Sequence, residues 1–482
     1  MWYNKIMRCL NRNKNKNFKI DELVKYVVTD NTEINGTNIG NWIDSFERNI
    51  RPYLKQLRGL YKGVDPVAKV QFDNVDINNQ VHVNLASMIV RNATNYFIGK
   101  AVTHAYSDNF KNSGLDKYLQ EINKRSKEKT ENKTLAKDCS IYGLAYELVN
   151  YDENKEMYYK RLDPLNTFLV VNDFVFEERV CVITYTKKVI NGKIVKSGYV
   201  YTPEAIYSFN NQANGFVVSG EDDENTIINV LGELPVVIYK NNDEMTGDFE
   251  FVIEPLRAYN KLFSCSFDDF ESIANALLVF YNAVLSPEEK ESLKKSRALS
   301  LISEDGTKEV KAEYIYKQLD TASFKELRTA LKEDIVTISN VPDLNDKNFA
   351  GNASGVAISY KLIGFENLRA DKQTYFEDAL QERYELIGKN PSKPFEIGED
   401  DIKNTFYQNL PKNIEKDLQI AGLYKDGVLS LESTLGEMEL VDNVEEELKK
   451  LKDEQQENIK NAKDALNTEV PTNIKNKNRL KA

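Results

Sequence analysis

From about residue 20 to 140, apolar positions recur at steps of three and four, the spacing that gathers them on one face of a helix. "DELVKYVV", "NWIDSFERNIRPYLKQLRGLY" and "NLASMIVRNATNYFIGKAV" read as helices, the last with Leu85, Ile89, Ala93, Tyr96 and Phe97 near one face. From 143 to 240 the period becomes strand-like: "LAYELVNY", "CVITYTKKV", "YVYT" and "ELPVVIYKNN" carry β-branched and aromatic residues. Asn191-Gly192 between "KKVI" and "KIV" predicts a two-residue hairpin turn.

A long helix is predicted over 254–279, with Pro255 suited to its first turn. Ile253, Leu256, Asn260, Phe263, Phe267, Phe270, Ala274 and Leu277 alternate at steps of three and four along it, the spacing of a helix that packs lengthwise on neighbours. A second, over 323–340, opens on the capping box Ser323-x-x-Glu326, carries Phe324, Leu327, Leu331, Ile335 and Ile338 on one face, and stops at Pro342. Between them a small insert reads as a short helix capped at Ser286-Pro287, then "RALSLIS" and "AEYIYK" as strands around Asp305-Gly306. A third long helix, 354–388, would run about 50 Å if straight, with Gly364 as a kink point. Beyond 411 the pattern is helical again, through the turn Asp426-Gly427, to a polar Lys/Asn-rich tail from 466 that is expected to be disordered.

The 482 residues exceed what one compact core organises, so more than one domain is expected. Cys9, Cys139, Cys181 and Cys265 show no paired spacing, which suggests neither a zinc site nor a disulfide framework and fits a reducing cytosol. His82 and His104, the two histidines, lie in different local patterns and read as structural or surface residues. The best apolar run, 275–285, is shorter than the roughly 20 residues a membrane helix needs, and the basic N-terminus lacks the cleavage pattern of a secretory signal. A net charge of −11 opposes tight retention of nucleic acid, though not passage of it.

The loop "DKNFAGNASG" ahead of the third long helix has the look of a phosphate cradle. A Walker loop needs Gly-Lys-Ser/Thr at the start of the helix, and Val356 follows Gly355 here. The loop reads instead as a Gly/Asn connection capped by Ser354.

An α+β region, a long helix, a small insert, a returning helix, a Gly/Asn loop, a long helix and a helical C-terminus, in that order, resemble the portal proteins of tailed bacteriophages. The resemblance spans nearly the whole chain and is carried most specifically by residues 143–171, 234–252 and "FAGNASGVAISYKLIGFENLRAD" at 349–371. It implies an α+β portal fold: a wing at 1–250, stem helices at 251–280 and 320–341 around a small α/β clip at 281–319, a tunnel loop at 342–355, a long kinked helix returning to the wing at 356–410, and a helical crown at 411–465. It implies a non-enzymatic ring, usually of about twelve subunits, at one capsid vertex of the virion, assembled in the host bacterial cytoplasm and needing no cofactor or metal. Double-stranded DNA would pass through it during packaging and ejection. The terminase large subunit and then head-completion or tail-connector proteins would dock on the clip, while major capsid and scaffolding proteins surround the ring and no membrane is involved.

On these residues, Asn345, Lys347, Asn348 and Asn352 become the tunnel-loop candidates for sequence-independent DNA contact. Asp268, Asp269 and Glu271, which sit off the apolar spacing, become candidates for an acidic channel wall. Glu288, Glu289 and Lys294 become candidates for motor docking. Twelve copies would carry about −130, a field that repels DNA unless basic groups are placed locally. Two other readings compete: a metal-dependent nuclease using Asp152, Asp163 and Asp173, and a cytosolic helical scaffold or adaptor suggested by 253–277 and 441–460.

Overall fold

The computed structural model describes residues 24–64, 79–172, 178–190, 192–211, 215–218, 227–274, 277–281, 287, 291, 311–315, 321–344, 355–398, 401–407, 414–438, 440–441 and 444–468. The chain divides into two compact units, 1–408 and 409–482, and mixes helix with sheet throughout the first.

A seven-stranded sheet is built on the run 167–210. Strands Thr167–Val171, Arg179–Ile190, Lys193–Tyr201 and Ala205–Asn210 pair antiparallel in sequence order. Ile190 faces Lys193, so the hairpin predicted at 191–192 has a two-residue loop. On its other edge Val27–Val28 adds parallel to Val170–Val171, where "DELVKYVV" had suggested helix. Short β-branched runs satisfy either period, and here the free sheet edge decides. A second sheet orders Val236–Lys240, Leu144–Tyr151 and Met157–Leu162. Thr103–Tyr106 pairs with Ile402–Thr405, about three hundred positions away in sequence and invisible to local pattern.

The other two helices expected in the N-terminal region form. Gly36–Ser45 and Arg51–Tyr61 are joined by a wide helical turn, Phe46–Ile50, immediately ahead of Pro52, which has no N–H to donate into a regular turn. Leu85–Ile98 buries all five residues expected on its face. Gly143 ends the helix Glu128–Tyr142 at φ +81°, and an added Cβ would lie 1.7 Å from the Met245 carbonyl oxygen, so this helix-to-strand corner requires glycine.

The long elements depart from expectation in three places, and the third long helix keeps its hydrogen bonding through the glycine expected as a kink point. The first helix is Ile253–Ala274; its predicted continuation, Leu277–Tyr281, is a strand paired with Lys311–Ile315. "LLVFY" is apolar at every position, and periodicity alone cannot separate a strand from a helix in such a run. Within the insert the first four residues of "AEYIYK" fall in the strand Lys311–Ile315, while its last two, "RALSLIS", Asp305-Gly306 and Ser286 lie outside the described residues. The second helix, Thr321–Ser339, starts ahead of Ser323, so that serine is not its cap. The third, Gly355–Gly388, is continuous through Gly364. That glycine admits Asn340, whose Oδ1 would lie 2.8 Å from an added Cβ. Finally, the helix Val444–Thr468 runs past the expected start of the tail at 466.

The 355–388 helix is held in the core by buried charge. Arg383, fully buried, donates to both oxygens of buried Glu147 at 2.7 and 3.0 Å and to Asn132 Oδ1 at 2.7 Å. Its guanidinium lies 4.1 Å from the Tyr159 ring centroid, and the Tyr239 hydroxyl donates to Glu147 at 2.8 Å. Earlier on the same helix Lys372 donates to Asp248 at 2.8 Å, Ser140 at 2.8 Å and Asn241 at 2.5 Å. A third pair, Lys25 to Glu250 at 2.5 Å, also caps the Tyr142 and Met245 carbonyls. Burial pushes the Cys139 and Cys181 thiols up, which leaves both as unreactive core residues.

Removing one member of such a pair strands the other charge in a low-dielectric interior at a cost of about 3–5 kcal/mol. Arg383→Met is therefore expected to destabilise by that amount in urea unfolding, and the double variant Arg383→Met with Glu147→Gln by clearly less. Equal losses in the two proteins would show that the pair is not the source.

Candidate functional site

Helices 253–274 and 321–339 pack antiparallel, with a well-packed base where the first begins and the second ends. At the base Ile253, Leu256, Tyr259, Ile335 and Val341 are buried. Next along, Phe263 meets Tyr259 at 5.1 Å and Phe324 edge-on at 6.1 Å, and Arg328 stacks its guanidinium 4.7 Å from the Phe263 centroid. Beyond this, on the first helix, the apolar stripe faces water: Phe267 is 50 % exposed and Phe270 54 %, while on the second helix Ile338 is exposed at the base, between buried Ile335 and Val341. Tyr360 and Ile363 on the 355–388 helix are exposed as well, whereas Phe365 stacks on Tyr96 at 4.0 Å and Tyr96 donates its hydroxyl to Glu366.

A strap at 79–84 lies along the first of these helices. The backbone N–H groups of Asn79, Val81 and Val83 donate to Asp268 Oδ1 at 2.7 Å, Ser264 Oγ at 3.0 Å and Asn260 Oδ1 at 2.9 Å. The Asn79 amide also donates to Glu271 at 2.7 Å. Alternate residues of an extended strand thus pair with a helix stripe stepping by four, so the strap's inner edge is satisfied side chain by side chain. Sequence reading missed this site. Its signal was the polar row Asn260, Ser264, Asp268, Glu271 beside the apolar one, with Asn260 counted among the apolar spacing instead.

Of the channel-wall candidates, Asp268 and Glu271 are therefore joined through Asn79, while Asp269 is half-buried nearby in sequence. The tunnel-loop candidates Asn345, Lys347, Asn348 and Asn352 and the docking candidates Glu288, Glu289 and Lys294 lie outside the described residues. The start of the loop is described: Lys332 pairs with Asp343 at 2.6 Å, and Asn92 donates to the Pro342 carbonyl at 3.4 Å. The first contact folds the chain after the returning helix back onto that helix, and the second ties it to the helix Leu85–Ile98.

The nuclease candidates separate. Asp152 accepts from the backbone N–H groups of Asn154 and Glu156, and Asp163 from that of Leu165, each serving its own turn; Asp173 lies outside the described residues. Among the described residues no group of three or more His, Cys, Asp or Glu side chains is placed to hold a metal ion. His104 is structural, held between Glu128 at 2.9 Å and Asn404 at 2.7 Å, and His82 sits 3.4 Å from Asn260. The His104 contact acts on Glu128: burial raises that carboxyl, but the hydrogen bond and charge of His104, with Arg383 behind, hold it below its ordinary value. No helix among the described residues is long and apolar enough to cross a membrane.

Comparison with known proteins agrees with this arrangement of elements. A family described as "Phage portal protein, SPP1 Gp6-like" matches residues 41–461, from the first helix of the α+β region to the last helix of the second unit. The portal protein of Bacillus phage SPP1 is 23 % identical over 474 residues, covering 90 % of each chain. A match of this extent, with the paired long helices, the strand-bearing insert and the long third helix all inside it, places the chain in the phage portal protein family.

Proposed function

We propose that the chain is the repeating subunit of a ring, built on the twelvefold plan, that conducts double-stranded DNA through one vertex of a capsid during packaging and ejection. The observation that carries this reading is the unpacked end of the helix pair. Phe267 and Phe270 on the first long helix and Leu327 on the second are large apolar side chains exposed toward that end. Such a patch on paired helices marks a surface for protein contact, and a ring of identical neighbours covers it through a repeated heterologous interface.

In this reading the α+β region is the wing, the helices at 253–274 and 321–339 the stem, and the insert between them the clip. The loop after Asp343 reaches into the channel, the third long helix returns to the wing, and the second unit forms the crown. The ring hydrolyses nothing itself; the terminase large subunit docks on the clip, through charges such as Glu288, Glu289 and Lys294, and head-completion proteins later take its place. Carboxylates at Asp268, Asp269 and Glu271 line the passage and disfavour adhesion of the phosphate backbone. Lys347 is the one lysine or arginine between Asp343 and Gly355, so each subunit adds a single positive charge, enough to touch a sliding duplex and too dilute to hold it.

Phe267→Ala with Phe270→Ala tests the interface. Truncation of packed interface aromatics costs about 2 kcal/mol or more each, so the double variant is expected to dissociate at concentrations where the wild type stays assembled. Its unfolding temperature as a monomer should stay unchanged, because both rings are already exposed there. An unchanged assembly by light scattering would overturn the stem assignment.

Lys347→Ala, or shortening of 345–352, tests the loop. Rings should assemble and the motor should hydrolyse ATP as before, while the length of DNA packaged or retained per capsid falls. Equal lengths for both variants and the wild type would reduce the loop to a connector.

A further inference from the structure

Away from the stem, the helix Glu128–Tyr142 carries Lys129, Lys133 and Lys137 on one face, four residues and about 6 Å apart at each step. They line one wall of a groove of about 420 Å³ whose other wall is Arg91 and Asn95 on the helix Leu85–Ile98. The floor is Val90 and Thr94, both buried, with Thr94 Oγ1 3.3 Å from Ser140 Oγ. Among the described residues none of the four basic side chains has a carboxylate within ion-pair distance. The acids of the same helix are engaged elsewhere: Asp138 is turned inward onto Arg161 at 2.5 Å, Glu131 accepts from the Arg161 backbone N–H at 3.0 Å, and Glu128 pairs with His104 at 2.9 Å. Lys129 and Thr130 also border a second hollow, of the same volume, that continues past Lys127 to Lys124 and includes the Glu128 carboxylate, itself engaged by His104. A chain with a net charge of −11 thus keeps a row of unmatched positive charge on one wing helix.

We infer that this row is a binding groove for the phosphate backbone of duplex nucleic acid, distinct in the chain from the loop after Asp343. The inference rests on the portal reading only for the identity of the polyanion. Regularly spaced ammonium groups flanked by hydroxyl and amide side chains suit phosphate contacts, which need no fixed fork and carry no sequence information. A protein partner would need an apolar or aromatic anchor to desolvate. The groove presents little of that kind, since Val90 is buried, Tyr61 at the rim is partly buried, and the exposed residues of both walls are polar or charged. A single half-covered ring likewise gives successive bases no stacking platform. DNA held here would lie along the wing, where backbone contacts could position the duplex without gripping it.

The test uses the full-length assembled protein and a short random-sequence DNA duplex. Without any variant, the duplex should protect Lys129, Lys133 and Lys137 from acetylation, read by mass spectrometry, while exposed Lys55 on another helix stays reactive. In anisotropy titrations, Lys129→Gln, Lys133→Gln and Lys137→Gln together should weaken binding at low salt at least tenfold. They should also make the slope of log affinity against log salt shallower by about 0.9 for each phosphate that is no longer neutralised; the triple arginine replacement should keep both. Light scattering on the same samples reports ring assembly, so failure of the portal reading would be seen separately. Equal acetylation with and without duplex, or an unchanged salt slope in the glutamine variant, would overturn the inference. So would polyglutamate displacing the duplex at equal charge concentration, which would assign the groove to an acidic protein.

Discussion

Buried charge that has lost its water must find its partners inside the protein, and the placement of the 355–388 helix follows from that demand. Arg383 reaches Glu147 on a central strand and Asn132 on the helix before it, while Lys372 reaches Asp248, Asn241 and Ser140. Each contact joins segments more than a hundred positions apart in sequence. Sliding the helix by one turn would leave two cations unpaired in a low-dielectric core, whereas an all-apolar contact could slip at lower cost. The ion pairs therefore act here as a register device, and the aromatic shell of Tyr159 and Tyr239 around Arg383 excludes the water that would weaken them.

The same helix is held unevenly along its length. Its C-terminal half is locked among the sheets and helices of the first unit; its N-terminal part exposes Tyr360 and Ile363. The helix pair behaves similarly, packed at its base through Tyr259, Phe263 and Phe324 and left apolar and exposed at Phe267 and Phe270. A rigid base with an unfinished end suits a subunit completed by its neighbours. The strap at 79–84 adds stiffness to the exposed part of the 253–274 helix, since each of its inward N–H groups is satisfied by a side chain of that helix.

Two classes of residue were legible in the sequence to different degrees. Long periodic elements were legible: the helices at 253–274, 321–339 and 355–388 and the strands between 144 and 240 fall close to their predicted bounds, because a single face buried over many residues leaves a repeating signal. The order of those elements was enough to point to the portal family, and the family match over residues 41–461 bears it out. Short apolar runs were not legible. Val27–Val28 and Leu277–Tyr281 became strands because a partner strand was available, and nothing in their own composition announces a partner.

What the sequence determined by itself was therefore the set of elements, their order, and the absence of a Walker loop, all of which depend on neighbours a few residues apart. The tertiary structure alone decided which polar residues work together. Arg383 and Glu147 are 236 positions apart, Asn79 and Asp268 are 189 apart, and the lack of a side chain at Gly364 leaves room for Asn340. Hydrogen bonds and ion pairs act over a few ångströms in space whatever the separation along the chain, so they leave no periodic trace for a sequence to display.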